Sequence, residues 1–375
     1  MRFLTADYLF PLYRNPIKEG VLQISDEGKV IDIIDHRSKI DFKKLEIYEG
    51  ILCPGFINAH CHLELSFLKG EIDKGTKLVT FINTIRKKRN NYSQEDILKS
   101  IEHAEIEMKK NGIVAVGDIC NNLDTIIQKK KRNLQYYNFV EFFQIFKEKE
   151  EETFLKIKEI QKKFIESKLK ATIVPHSPYT VSTEMMGKIS KNINSQNELI
   201  SIHVEESKSE IELFKNKKGA LYDWLNNIGA NPQIWFKRNS SRAVVKELNF
   251  KKLMLVHNTF SKKVDFEENY YCVCPKANLY IEKTLPNFSI FNPKKLCVGT
   301  DSLASNNKLC ILEEILEIQK NTDYDINSIL KIASKNGAEA LGFTELGTFS
   351  KGKKPGVNLV QYKNNKLQNH IKVLA

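Results

Sequence analysis

No uninterrupted apolar run in these 375 residues approaches the ~18–20 needed to cross a bilayer, which excludes a helical membrane protein. No secretory leader is expected either: Met1-Arg2-Phe3-Leu4-Thr5-Ala6-Asp7 meets an acid, and then Pro11, before an apolar core forms. Cysteines number seven, odd and scattered, mostly inside apolar runs. That pattern excludes a disulfide framework and predicts reduced core thiols in a cytoplasmic protein. Internal repeats and low-complexity linkers are absent. Basic residues exceed acidic ones, 58 Lys+Arg against 46 Asp+Glu for a net +12, but they are not gathered on one stretch. The tight runs are Lys87-Lys88-Arg89 and Lys129-Lys130-Lys131-Arg132, both at expected helix ends or loops, where cations are solvated and complement the helix dipole. No nucleic-acid partner is therefore expected. The alternative, a non-catalytic basic nucleic-acid-binding protein, would show salt-sensitive binding and no metal.

What is present is a series of short, apolar, β-branched runs bounded by turn residues: 51–60, 112–119, 134–141, 171–176, 199–204, 253–257, 270–274 and 296–300. Helical stretches fill most intervals. Over 95–111, Ile97, Ile101, Ala104 and Met108 recur at helical spacing, Ser93 with Asp96 offers a cap, and Gly112 a stop. Apolar strands alternating with helices predict an α/β fold with parallel pairing and the helices outside. Eight such units over about 250 residues match a closed (β/α)8 TIM-type barrel. A doubly wound open sheet competes, but its Gly-x-Gly-x-x-Gly turn after the first strand is missing. Residues 2–9, 20–25 and 29–34, together with 356–362 and 370–374, read as short strands. Neither end has enough of them to stand alone, so they are expected to pair into one small β-sandwich-like domain. The expected division is 1–52 with 345–375 for that domain and 53–344 for the barrel.

A barrel of this kind builds its site at the C-terminal ends of its strands. The first run ends in His60-Cys61-His62 and the fourth in His176. The fifth carries His203 with Glu206 three residues on, the sixth ends at His257, and Asp301 follows the eighth. Five of eight histidines thus collect on one rim, leaving His36, His103 and His370 elsewhere. A packed barrel gains nothing from gathering polar imidazoles there, so a metal centre is the expected reading. Alternate residues of an extended strand point the same way, so His60 and His62 offer two nitrogens to one cation while Cys61 faces away. With His203 and Asp301 they form a mixed N/O set suited to one divalent metal ion, Zn2+ or Fe2+, with a position left for water. Such an ion lowers the pKa of water to ~7. Glu206 is then placed beside that water as general base and acid.

The motifs Pro54-Gly55-Phe56-Ile57-Asn58-Ala59-His60-Cys61-His62, Pro175-His176-Ser177-Pro178-Tyr179-Thr180, His203-Val204-Glu205-Glu206, Val256-His257-Asn258-Thr259 and Gly299-Thr300-Asp301-Ser302 occur in that order. Together they resemble the amidohydrolase superfamily, closest to its mononuclear branch of amino-purine deaminases and chlorohydrolases. Cys274-Pro275-Lys276-Ala277-Asn278 also fits. The resemblance implies that His60, His62, His203 and Asp301 bind the metal and that Glu206 shuttles protons between the attacking water and a ring nitrogen. It also implies that His257 hydrogen-bonds the hydroxide, that Asp301 passes a proton to departing ammonia, and that His176, Asn278 and Ser302 lie by the substrate. Binuclear branches use a carboxylated lysine at the end of strand four, where this chain has Pro175-His176, so one metal is expected. The late signature Gly-Lys-x-Ala-Asp is replaced by Pro355-Gly356-Val357-Asn358.

Within the branch, Asn58-Ala59-His60-Cys61-His62-Leu63-Glu64-Leu65-Ser66 resembles the aminodeoxyfutalosine deaminases. That likeness implies hydrolysis of 6-amino-6-deoxyfutalosine to futalosine and ammonia, on the futalosine route to menaquinone. On this reading Glu64 holds a ribose hydroxyl and Arg86 the substrate's benzoate. Adenosine, S-adenosylhomocysteine, guanine or a chlorinated ring are the alternative substrates, since related folds share their machinery. The expected partner is thus a small aminopurine nucleoside, with no membrane, and a homodimer is common among relatives.

Overall fold

The computed structural model describes residues 1–192, 198–230, 238–247, 250–264 and 269–375. Its N-terminal strands are β1 (Arg2–Thr5), β2 (Tyr8–Leu9), β3 (Ile17–Lys18), β4 (Val21–Ile24), β5 (Val30–Ile34), β6 (Leu45–Ile47) and β7 (Ile51–Pro54). Next come β8 (Phe56–Cys61), β9 (Ile113–Cys120), β10 (Gln135–Phe142) and β11 (Lys170–Pro175). They are followed by β12 (Ile200–Val204), β13 (Leu253–His257), β14 (Tyr270–Val273) and β15 (Leu296–Val298), and the chain closes with β16 (Val357–Lys363) and β17 (Lys366–Val373).

Strands β8 to β15 correspond to the eight apolar runs. They form two parallel sheets, ordered β11-β10-β9-β8 and β12-β13-β14-β15. The sheets meet at both edges. The His60 carbonyl accepts the Thr300 and Asp301 amides at 3.0 and 3.1 Å, and the His176 carbonyl accepts the His203 amide at 2.9 Å. This α/β architecture with parallel sheets is consistent with a TIM-type fold. Every residue of β8, β12 and β13 is buried, which is why these strands read as unbroken apolar runs and not as alternating ones.

The helix Gln94–Lys110 forms as its pattern predicts. Ser93 accepts the Asp96 amide at 3.1 Å, Ile101, Ala104 and Met108 turn inward, and Gly112, at φ +75°, ends it. Two sequence expectations change. The run 51–60 is not one strand: it breaks at Gly55, and β7 pairs antiparallel with β16 while β8 joins the parallel sheet. Residues 2–9 likewise divide into β1 and β2, which enter different sheets, β5-β4-β1-β6 and β17-β16-β7-β2-β3. Leu4, Leu9, Leu22, Val30, Leu52, Phe349 and Val357 share an apolar cluster between them, so both chain ends contribute to one core.

The basic run at 129–132 is not wholly solvated. Lys129 is fully buried and ion-paired to Asp118, because the short helix Ile126–Lys129 turns this side chain inward and not toward solvent. Among the described residues no helix is long and apolar enough to cross a membrane.

Candidate active site

The strand ends deliver their side chains to one place. His60 lies in β8, His62 just beyond it, His176 just beyond β11, His203 in β12 and His257 at the end of β13; Asp301 and Ser302 follow β15. The Nε2 atoms of His60 and His62 stand 3.2 Å apart, and Asp301 Oδ1 lies 3.3 Å from His62 Nε2 and 3.9 Å from His60 Nε2. Ring centroids of His60 and His203 are 4.9 Å apart, and those of His203 and His257 5.3 Å. Candidate ligand atoms of His60, His62 and Asp301, and again those of His60, His203 and His257, fall within 4.8 Å of one another.

Burial, and after it the neighbouring imidazoles, hold His60 and His203 well below the usual histidine range, and burial pushes His176 down to about 3. His62 and His257 are lowered by burial too, against the opposing charge of Asp301. The rings are therefore neutral at pH 7, each with one lone pair to offer. Two tautomers follow from the acceptors that hold them. His203 Nδ1 donates to the His176 carbonyl at 2.8 Å and His257 Nδ1 to Asn278 Oδ1 at 2.9 Å, which leaves each Nε2 as a lone pair. Asp301 Oδ2 accepts the Ser305 hydroxyl at 2.6 Å, which leaves Oδ1 turned to the imidazoles. Neutral buried imidazoles crowded around a carboxylate, with His60 Nδ1 lacking a hydrogen-bond partner among the described residues, are a donor set a divalent cation fits.

Left-handed backbone recurs where strands end at this site. Glu205, His257 and Asp301 adopt left-handed φ values of 51°, 69° and 57°, uncommon for residues with a side chain, where the chain leaves a strand and must turn a functional group inward. A cross-strand clamp fixes the far side: Asn58 Nδ2 donates to Thr300 Oγ1 at 2.7 Å, and its Oδ1 accepts the Thr300 amide at 3.0 Å.

Glu206 lies 3.7 Å from His257 Nε2. Burial, then the charges of Asp301 and Glu282, push its carboxyl well above the usual range, the direction that suits a group which exchanges protons. Its backbone is gripped from the next helix. Glu210 accepts the Glu205 and Glu206 amides at 2.8 and 2.9 Å, while Ser207 accepts the Glu210 amide at 3.1 Å. Ser207 thus caps this helix while Glu210 reaches past the cap to the two amides before it, and the Ser-x-x-Glu pattern at 207–210 was visible in the sequence.

A cavity of about 390 Å³ opens onto this floor. His62, His176, His203, Glu206, His257, Asp301 and Ser302 form its polar end, and Leu78, Phe81, Ile82, Ile85, Trp224 and Ile228 its apolar wall. Arg86, exposed, stands at the wall with its guanidinium 6.0 Å from the Trp224 ring centre. Two expected contacts sit behind the lining. Asn278 supports His257, and Glu64 is buried with Oε2 accepting the Asn121 amide at 2.9 Å and Arg89 3.6 Å from Oε1. Burial raises Glu64 to about 7. The structure adds Glu141, at the end of the third run: its Oε1 lies 3.5 Å from His203 Nδ1, and Oε2 accepts Asn121 Nδ2 at 3.1 Å. A carboxylate closing an apolar run was the available signal.

Comparison with known proteins shows the family. The sequence profile described as Amidohydrolase family matches residues 51–375. An adenosine deaminase of Helicobacter pylori is 28% identical over 84% of this chain and 81% of that protein. The crystal structure of H. pylori aminofutalosine deaminase with methylthio-coformycin superposes over 100% of both chains with a TM-score of 0.78 at 22% identity. An adenosine deaminase of Xanthomonas campestris with bound zinc covers 96% of this chain and 85% of its own at a TM-score of 0.69 and 18% identity.

Proposed function

The chain belongs to the amidohydrolase family, and from that premise we propose that it is a metal-dependent hydrolase that removes ammonia from a cyclic amidine, the purine ring of an aminopurine nucleoside. The observation that carries this is the convergence of five imidazoles, Asp301 and Glu206 at one set of strand ends, where all but His60 line the cavity. We read the two parallel sheets as one closed (β/α)8 barrel, with the two chain-end sheets as a small domain beside it. His60, His62, His203 and Asp301 would hold one divalent ion. Zinc is supported by the relative that carries it, and iron suits the same donors. When bound, such an ion supplies the Lewis acidity that makes water a competent nucleophile at neutral pH.

The chain's own groups do the rest. Glu206 takes one proton from the attacking water and gives it to the ring nitrogen beside the amino-bearing carbon, which makes that carbon electrophilic. His257 Nε2, its tautomer fixed by Asn278, hydrogen-bonds the attacking water. Asp301 takes the water's second proton and delivers it to the departing amine, so the carbon–oxygen bond forms, the carbon–nitrogen bond breaks, and ammonia leaves with Glu206 and Asp301 returned to their starting states.

The finer substrate is 6-amino-6-deoxyfutalosine, giving futalosine. The full-length superposition on the aminofutalosine enzyme supports it, as does the apolar wall that leads from the floor to Arg86. Ammonia release measured across aminodeoxyfutalosine, adenosine, methylthioadenosine, S-adenosylhomocysteine and guanine tests both levels. The highest kcat/KM is expected on the first. Adenosine fastest would change the substrate, and no release from any would end the deaminase reading. Arg86→Ala is expected to raise KM about tenfold, near the worth of one charged contact, for the benzoate-bearing substrate and not for adenosine. An equal rise on both would remove Arg86 from substrate recognition.

A further inference from the structure

Beneath the site lies a charge pair that the reaction does not use. Lys129 and Asp118 are both fully buried and ion-paired. The three protons of the Lys129 ammonium are all taken: by Asp118 Oδ2, by Asn138 Oδ1 at 2.7 Å and by Cys120 Sγ at 3.1 Å. Asp118 Oδ1 accepts the backbone amide of Leu63 at 2.8 Å. Leu63 opens the short helix Leu63–Leu68, whose preceding residue is His62, and no side chain of that segment caps it. Asp118 therefore provides from β9 the cap that the segment leaving His60-Cys61-His62 lacks, while strand pairing sets Asp118 level with Cys61 on one side and Asn138 on the other.

A buried ion pair is no better for stability than well-packed apolar residues, so its presence calls for a positional role. We infer that Lys129 and Asp118 are positioning residues: Lys129 keeps the Asp118 carboxylate fixed on the Leu63 amide, and that bond aims the His62 imidazole at His60 and Asp301. This rests on the metal assignment proposed above.

The test compares zinc affinity, by chelator competition, in the intact protein, Lys129→Met, and Asp118→Asn/Lys129→Met. Loss of an outer partner of a metal site costs roughly 10–100-fold in affinity, and that loss is expected for Lys129→Met. The double variant, whose neutral amide oxygen still accepts from Leu63 without needing a counter-charge, is expected to recover most of it. A merely structural pair would lower melting temperature in both variants and leave zinc affinity unmoved. Zinc affinity unchanged in Lys129→Met, or no recovery in the folded double variant, overturns the inference. Hydrogen exchange on the unmodified protein keeps it testable if a variant does not fold: the Leu63 amide is expected to be strongly protected without metal, and exchange at an exposed rate would refute it. An unmodified protein that bound no zinc would instead overturn the metal assignment, so the two failures are distinct.

Discussion

Glu206→Gln is expected to keep its full complement of metal and lose at least ~10²-fold in kcat, the scale of a positioned proton donor. Glutamine matches glutamate in shape, and Glu210 holds the 205–206 backbone through amides that the substitution leaves in place, so the side chain should stay where it is. What disappears is the proton. Elemental analysis beside steady-state kinetics separates the roles: intact metal with collapsed turnover marks a proton-transfer group, and joint loss marks a ligand. Full turnover would move the proton to another group, with His257, 3.7 Å away, the nearest described candidate.

The second large effect comes from a residue with no side chain. A Cβ on Gly299 would lie 2.6 Å from the His60 carbonyl oxygen, 2.7 Å from His60 Cβ and 2.8 Å from its amide nitrogen, contacts that neighbouring backbone cannot absorb. Gly299→Ala would push β15 from β8 at the seam where the His60 carbonyl accepts the Thr300 and Asp301 amides. Overpacking of this kind costs roughly 1–3 kcal/mol of stability. The catalytic cost is expected to be larger, because His60 and Asp301 both ride on that seam and a displacement near 1 Å is worth about 10²-fold. Thermal melts with chelator titration check it. An alanine variant with native zinc affinity and turnover would show that the seam is looser than its contacts imply.

The eight parallel strands and the gathering of histidines at their ends were legible because both are local signals: an apolar run of strand length, and an imidazole where it stops. His60 and His62 share a direction because strand side chains alternate, and Glu206 follows from its spacing after His203. What stayed hidden depends on distant partners. The break at Gly55 is set by β16 at the other end of the chain, which draws β7 into a different sheet. Lys129 looks like its three basic neighbours, and only the approach of Asp118 and Asn138 turns it inward. Glu64 carries a motif position yet packs behind the cavity, held by Asn121 and Arg89, while Glu141, with no motif to mark it, reaches the wall beside His203. The left-handed turns at His257 and Asp301 have no glycine to announce them, since they exist to aim a side chain.

The most direct test measures bound metal and ammonia release on one sample before chelation, after it, and after zinc or ferrous iron is restored. About one equivalent of metal, activity that vanishes with its removal and activity that returns with its replacement are the expected results. A stripped protein as fast as the loaded one would contradict the account at its root.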